Sequence, residues 1–429
     1  MSQLLLKGGR VIDPSQGIDK IADVLIRDGK IEGIGEFDQQ GLDHVEDVTG
    51  KYVLPGLIDM HVHLREPGFE YKEDIASGSK AAAAGGFTAV AAMPNTSPFM
   101  DNRAIIEYVI RRGEAANFTR VLPIGALTKE MKGEEMAEIG EMIEGGAVAF
   151  SDDAFPIASS GMMRRVMEYC AMFGVPVILH CEDKSLCDDG LMNEGITATT
   201  FGLRGICNEV EDIAVARNLM LARLTGCKVH IAHVSTRGSV ELIRRAKAEG
   251  TAVTCETCPQ YFTLTEEAVI GYRTNAKMSP PLRTAEDVEA VKAGLADGTI
   301  DVIATDHAPH SLDEKETEFA VAANGIVGLE TSVGLVMTEL VKAGVLSMAD
   351  VARKMSQNPA GILGLESGAL SEGADADISV IDPSAEWTVD PAKFCSKGRN
   401  TPFVGRKLVG KPVLTVLRGR VVARDGMVV

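Results

Sequence analysis

The residues with the clearest chemistry lie in Asp59-Met60-His61-Val62-His63-Leu64-Arg65. They follow Val53-Leu54-Pro55-Gly56-Leu57-Ile58, an apolar run bounded by Pro and Gly that reads as a buried strand. Side chains two apart on a strand point the same way, so His61 and His63 project together, and Arg65 joins them if the strand extends that far. Two imidazoles at one strand end can hold a divalent transition metal. Zn²⁺ normally takes more ligands, so other parts of the chain must supply them.

The elements that would position such a site are legible along the chain. The middle alternates strand and helix. Strands are expected at 57–63, 88–95, 120–127, 147–153, 176–183, 228–235, 252–259 and 301–310. Helices are expected between most of them, as at 76–84, 162–173, 213–224, 239–249 and 285–295. Alternation at this pitch implies a parallel sheet, and eight units imply a closed (β/α)₈ TIM-like barrel with its active site at the C-terminal ends of the strands. An open doubly wound sheet is the alternative, disfavoured because no G-x-G-x-x-G follows the first strand.

Both chain ends read instead as short strands and turns, with Asp28-Gly29 and Asp425-Gly426 as turn signals. The expected organisation is therefore α/β. Residues 55–367 form the barrel, and 1–54 with 368–429 form a small composite β-sandwich domain of structural role.

That geometry tests the metal idea. Of eight His, seven fall in or beside the expected strand ends, His44 being the exception. His61 and His63 end the first strand and Asn95 the second. Asp152 and Asp153 end the fourth, His180 the fifth, His233 the sixth and Asp306 the eighth. His230 is read as facing the other side from His233 and structural. Four His with one or two Asp exceed what one zinc needs. The surplus suggests two metals ~3.5–4 Å apart sharing a hydroxide, with Asp152 or Asp153 as bridging carboxylate. Asp306 could ligate a metal, take the proton of the attacking water and return it to a leaving nitrogen. Such a site hydrolyses an amide, ester or phosphate.

Composition bounds the rest. The 429 residues, 45% hydrophobic and 24% charged, suit a soluble globular protein with a large core. A net charge of −18 argues against nucleic acid and anionic membrane as partners. An anionic substrate would need local cations. The first residues contain no long apolar signal segment, so a cytoplasmic location is expected. Eight scattered Cys suit reduced thiols, and Cys255-Glu256-Thr257-Cys258, a lone CxxC, is read as two ordinary strand-end cysteines.

The placed residues resemble the amidohydrolase superfamily, and more closely its bacterial dihydroorotases, of the type whose fourth-strand ligand is Asp rather than a carboxylated Lys. The stretches that carry the resemblance begin with Pro55-Gly56-Leu57-Ile58-Asp59-Met60-His61-Val62-His63-Leu64-Arg65-Glu66-Pro67-Gly68 and Met93-Pro94-Asn95-Thr96. Phe150-Ser151-Asp152-Asp153, Thr305-Asp306-His307-Ala308-Pro309-His310, Gly325-Ile326-Val327-Gly328-Leu329-Glu330-Thr331 and Ser396-Lys397-Gly398-Arg399-Asn400-Thr401-Pro402-Phe403 follow. They run over most of the chain.

The resemblance implies reversible hydrolysis of the L-dihydroorotate ring amide to N-carbamoyl-L-aspartate, in pyrimidine synthesis. It implies two Zn²⁺ per subunit held by His61, His63, Asp153, His180, His233 and Asp306, with Asp153 bridging. Arg65, Asn95 and His310 would bind the substrate carboxylate, and backbone near Asn324 and Gly325 would hold the ring. A planar bidentate cation such as Arg65 suits a carboxylate; its bland role would be a salt bridge to Glu66 or Glu73. A homodimer and association with aspartate carbamoyltransferase are further expectations.

Three places depart from the pattern. Ser279 stands before Pro280-Pro281-Leu282-Arg283 where Asn is usual; its shorter hydroxyl would reach substrate through water. Glu256-Thr257-Cys258-Pro259-Gln260-Tyr261 resembles hydantoinases and allantoinases. Ala154-Phe155-Pro156 follows the Asp pair where Gly is common. The competing readings are a hydantoinase, dihydropyrimidinase or allantoinase, and an inactive homologue that scaffolds the carbamoyltransferase. Against the first, those enzymes usually place Lys on the fourth strand, and the nearest Lys here, Lys132, is far upstream. Against the second, all six ligand positions are kept.

Overall fold

A computed structural model describes residues 3–429. Eight strands pair in parallel, each beside its sequence neighbour, from Leu57–Val62 through Phe87–Ala92, Arg120–Gly125, Ala149–Phe150, Val177–Leu179, Val229–Ile231 and Val253–Thr257 to Val302–Ile303. All six residues of the first strand are buried, as expected where helices cover one face and a barrel interior fills the other. Closure between the first and last strands runs through the segment just past the eighth. His63 N–H donates to the His307 carbonyl at 2.8 Å, and Val62 bridges His307 in parallel register.

Inside the barrel, Met60, Ala91, Ile124, Ala149, Ile178, Ala232 and Val302 form one layer, closed by Leu363. Three alanines alternate with larger residues there because side chains from all sides meet near one axis. A larger cluster packs the outer strand faces against the helices. Helix Arg237–Ala248 shows the logic. Thr236 caps it by accepting from Ser239 N–H, and Val240, Ile243 and Ala246 bury one stripe at helical spacing. The eight strands match the expected order, but most are shorter, because the polar residues at their C-terminal ends leave the ladder to enter the site.

The two chain ends meet in one nine-stranded sheet. Its hydrogen-bonded path runs from Met427–Val428 through Arg420–Arg424, Lys407–Leu417, Ile378–Thr388, Tyr52–Pro55, Gln3–Asp13 and Ile18–Arg27 to Lys30–Gly35, with His44–Asp47 beside Gln3–Asp13. The sandwich expected from sequence is thus a single continuous sheet folded around one core. Leu4, Leu6, Val24, Ile26, Ile378, Val380, Leu414 and Val416 share that core at period two. Asp28-Gly29 and Asp425-Gly426 make the expected turns, all four residues at positive φ, as a two-residue hairpin of matching twist requires. His44 lies exposed in this sheet.

Candidate active site

Six side chains from five strand ends converge at one rim of the barrel. His61 Nε2 lies 3.6 Å from Asp153 Oδ1 and 3.5 Å from Asp306 Oδ1. His63 Nε2 lies 3.5 Å from Asp153 Oδ2 and 3.2 Å from Asp306 Oδ1. His180 Nδ1 and His233 Nε2 are each 3.6 Å from Asp153 Oδ1 and 2.9 Å from one another. Asp153 is therefore central. One oxygen faces His61, His180 and His233, and the other faces His63. Its neighbour Asp152 turns away, accepting from Leu127 N–H at 2.8 Å and from the Thr128 N–H and hydroxyl. Of the two candidates left open by residue type and strand position, the one that the resemblance implied, Asp153, takes the central position.

The donor set fits divalent cations. His61 Nε2 and Asp153 Oδ1 are fully buried with no hydrogen-bond partner among the described residues, a costly state for polar atoms unless something binds them. Donors about 2.1 Å from a tetrahedral ion lie roughly 3.4 Å apart, close to the separations seen here. Two triads have donor atoms within 4.8 Å of one another, His61–Asp153–His233 and His61–His63–Asp306. Electrostatics points the same way. Burial opposes charge on Asp153, yet His61, His180 and His233 hold its carboxyl well below the usual range. Burial likewise opposes charge on His61, and the surrounding carboxylates still raise its imidazole well above its ordinary value.

A layer of hydrogen bonds aims these ligands. His63 Nδ1 lies 2.8 Å from Asn95 Oδ1, and His180 Nε2 lies 3.1 Å from Glu182. His61 Nδ1 lies 2.7 Å from Glu256, whose other oxygen lies 3.2 Å from His230 Nε2. His230 in turn reaches the Thr254 hydroxyl at 2.8 Å. His230 is therefore not turned away as its spacing suggested; it faces the barrel interior and backs the carboxylate that supports His61. Asp59 Oδ1 accepts from the His61 and Thr305 amides, tying the first and eighth strand ends. His233 and Asp306 carry positive φ, as does Arg65, so strained backbone turns these side chains inward.

Beside the cluster is a cavity of about 200 Å³. His63, Arg65, Asn95, Asp153, His180, His233, Ser279, Asp306, His310, Asn324 and Gly325 all line it, with His61 buried beneath. Arg65 has no ion-pair partner among the described residues. Its Nε donates to the Pro309 carbonyl at 3.2 Å, and Nη2 lies 3.3 Å from His310 Nε2. The neighbouring carboxylate, Glu66, is taken by Tyr108 and Arg112 at 2.7 and 2.6 Å. Glu73 is taken by Ser396 and His307. Burial and the nearby cations Arg65 and Lys72 lower His310 to about 3, so its ring is neutral.

The pair at 324–325 departs from expectation in one respect. Gly325 N–H donates to the Lys277 carbonyl, and its own carbonyl accepts from Lys315 and Asn400. Its polar groups serve the scaffold, and it offers the cavity a wall without a side chain.

Sequence reasoning missed Glu256, and also Glu182 and Lys184, which pair at 2.5 Å and line the cavity. Glu182 sits two residues beyond His180, a same-face spacing that could have revealed it. Glu256 is a fully buried acid in a strand, itself a signal of a paired charge. Cys255 and Cys258 are free thiols, as are the other six cysteines.

A parallel barrel with four imidazoles and two carboxylates at its C-terminal rim is the framework of a metal-dependent cyclic amidohydrolase. A Dihydro-orotase-like family model matches residues 50–239. The chain is 58% identical to the dihydroorotase of Citrifermentans bemidjiense over 98% of its length and 99% of that protein. It is 56% identical to that of Pelobacter propionicus, with the same shares covered. Its fold is similar to the L-hydantoinase (dihydropyrimidinase) of Arthrobacter aurescens, at a TM-score of 0.90 and 29% identity over 100% of this chain and 98% of that one. The chain belongs to the dihydroorotase family.

No helix among the described residues is long and apolar enough to cross a membrane.

Proposed function

We propose that the protein is a dihydroorotase, interconverting L-dihydroorotate and N-carbamoyl-L-aspartate in pyrimidine synthesis. The observation that carries the reading is a buried guanidinium, Arg65, with no carboxylate partner among the described residues, in the same small cavity as the six convergent ligands. A ring bearing a carboxylate supplies the missing anion and presents its amide to the cluster. Residues 55–367 act as the catalytic barrel in this reading, with 1–54 and 368–429 as the β-unit beside it.

In this proposal His61, His63, Asp153, His180, His233 and Asp306 would hold two Zn²⁺ ions. Bound there, the metal supplies a lowered pKa for water and polarisation of the scissile carbonyl. The chain's own groups do the rest. Arg65 takes the substrate carboxylate as a planar fork. Asn95 accepts from His63 with its oxygen, which leaves its NH₂ for the substrate. Neutral His310 lies with Nε2 2.9 Å from the Asn324 carbonyl, so the ring completes the carboxylate wall without adding charge. Ser279 reaches the ring through water. Asp306, 3.2 Å from His63 Nε2, receives the proton of the attacking water and returns it to the ring nitrogen as the amide bond breaks.

The overall likeness to hydantoinases keeps a cyclic ureide without a carboxylate as the second reading. Following loss of ring absorbance by the zinc-loaded protein with dihydroorotate, hydantoin and allantoin separates the two. Turnover of dihydroorotate is expected. Turnover of hydantoin alone would overturn the assignment, and silence toward all three with metal bound would favour a scaffold.

A further inference from the structure

Asn400 lies far from the barrel in sequence, on the segment that follows the short helix Pro391–Lys393 and joins two strands of the terminal sheet. Its side chain is buried and fully used. Its Nδ2 donates to the Ala308 carbonyl at 2.9 Å and to the Gly325 carbonyl at 3.0 Å. Its Oδ1 accepts from the His310 amide at 3.1 Å. Two acceptors on one side and one donor on the other fix which end of the amide is which. The main-chain carbonyl of Asn400 also accepts from Val327 N–H at 2.9 Å. All four bonds go to two adjacent segments, 308–310 and 325–327, which already pair through Ala308 N–H and the Ile326 carbonyl at 2.8 Å and which bring Ala308, His310 and Gly325 to the cavity.

The segment carrying Asn400 is itself held on the barrel. Ser396 donates to Glu73 at 2.5 Å, and Cys395 N–H donates to Glu330 at 2.7 Å. Gly398 sits so tightly that a Cβ there would come within 2.7 Å of both Pro309 and Val327. Pro309 in turn supplies the carbonyl that receives Arg65 Nε. An unbroken set of contacts therefore runs from the terminal β-unit to the guanidinium.

We propose that Asn400 is a positioning residue for substrate recognition. It locks the paired segments 308–310 and 325–327 together so that Arg65 and His310 form one carboxylate-binding wall beside Gly325. The inference rests on the substrate reading given above, and it assigns the C-terminal segment a part in recognition rather than a purely structural one. A side-chain amide suits the task because it bridges two carbonyls and one N–H without a charge that the neighbouring cations would distort.

The test uses the full-length, metal-loaded enzyme and its Asn400→Ala and Asn400→Asp variants. Asp keeps the size and the acceptor for the His310 amide but loses both donors. Each variant is expected to raise KM for L-dihydroorotate roughly ten- to a hundredfold, as buried carbonyls lose their donors, while kcat and bound metal stay near wild type. Hydrogen exchange is expected to quicken at 308–311 and 324–328 and to stay unchanged in the barrel strands. If Asn400→Ala does not fold, Asn400→Asp and Gly398→Ala carry the same expectation, since a Cβ at 398 forces the segment off Pro309. Faster exchange with unchanged KM in a folded variant would overturn the inference, and so would equal losses in KM and kcat with metal released. If wild type turns over dihydroorotate and Arg65→Gln raises its KM while the Asn400 variants do not, only this inference falls; if wild type does not turn it over, the functional reading itself fails.

Discussion

His61 Nδ1 and Glu256 Oε1 meet at 2.7 Å inside the barrel, joining the first strand to the seventh beneath the ligand cluster. Both side chains are fully buried. Burial alone would raise the carboxyl, but His61 and His230 hold it down to about 2, so Glu256 is an anion at neutral pH. A carboxylate behind a metal-binding imidazole fixes the ring's tautomer and orientation and increases its basicity.

Glu256→Gln keeps the shape and removes the charge. Zn²⁺ affinity is expected to fall about ten- to a hundredfold, with activity recovering in excess zinc. Competition with a chromophoric chelator measures the affinity; an unchanged value would make Glu256 a packing residue only.

Asp306 faces both His61 and His63, and it also lines the cavity. Asp306→Ala is expected to lower kcat by at least ~10²-fold, the scale of lost general-base catalysis, while much of the metal stays bound through the other five ligands. Metal analysis beside steady-state kinetics checks both halves. A near-normal kcat would remove the proton-transfer role.

Arg65 is held by the Pro309 carbonyl and no carboxylate among the described residues. Arg65→Gln is expected to raise KM for dihydroorotate by on the order of a hundredfold, since in the proposed binding mode the substrate carboxylate would lose a bidentate cation. An unchanged KM would reassign Arg65 to packing.

Glu330 provides a pH dependence remote from the ligand cluster. Burial raises its carboxyl from 4.5 to about 7, although it accepts from the Cys395 and Ser396 amides. Its folded pKa lies above its unfolded one, so the folded state binds more protons between those values. Its contribution to stability is therefore complete below about pH 4.5 and is lost as pH rises to about 7, a change on the order of 1–3 kcal/mol. Glu330→Gln is expected to flatten that part of the stability profile, read by denaturant unfolding at pH 5 and pH 8. Parallel profiles for wild type and variant would refute it.

Much of the site was legible because its determinants are local. Hydrophobic runs ending in His, Asn or Asp mark strand ends, and alternation with amphipathic helices implies a barrel that brings those ends to one rim. His61, His63, His180, His233 and Asp306 needed only strand position to be gathered. The outer hydrogen bonds were less accessible. Glu256 and His230 share no run with His61, and their meeting depends on strands one and seven facing each other across the interior. The reading of His230 as turned away failed because its strand covers only Val229–Ile231; His233 lies beyond it at positive φ, so counting along a strand does not relate the two.

By itself the sequence determined the order of strands and helices, the ligand types and the pairing of both chain ends into one β-unit. These follow from side-chain periodicity and from the chemistry of individual residues. Only the tertiary structure turned Asp152 toward Leu127 and Thr128, left Arg65 without a carboxylate partner among the described residues and brought Asn400 against 308–310 and 325–327. Each of those outcomes depends on where backbone amides and carbonyls from distant segments point, and that direction is set by packing of the whole barrel rather than by neighbours along the chain.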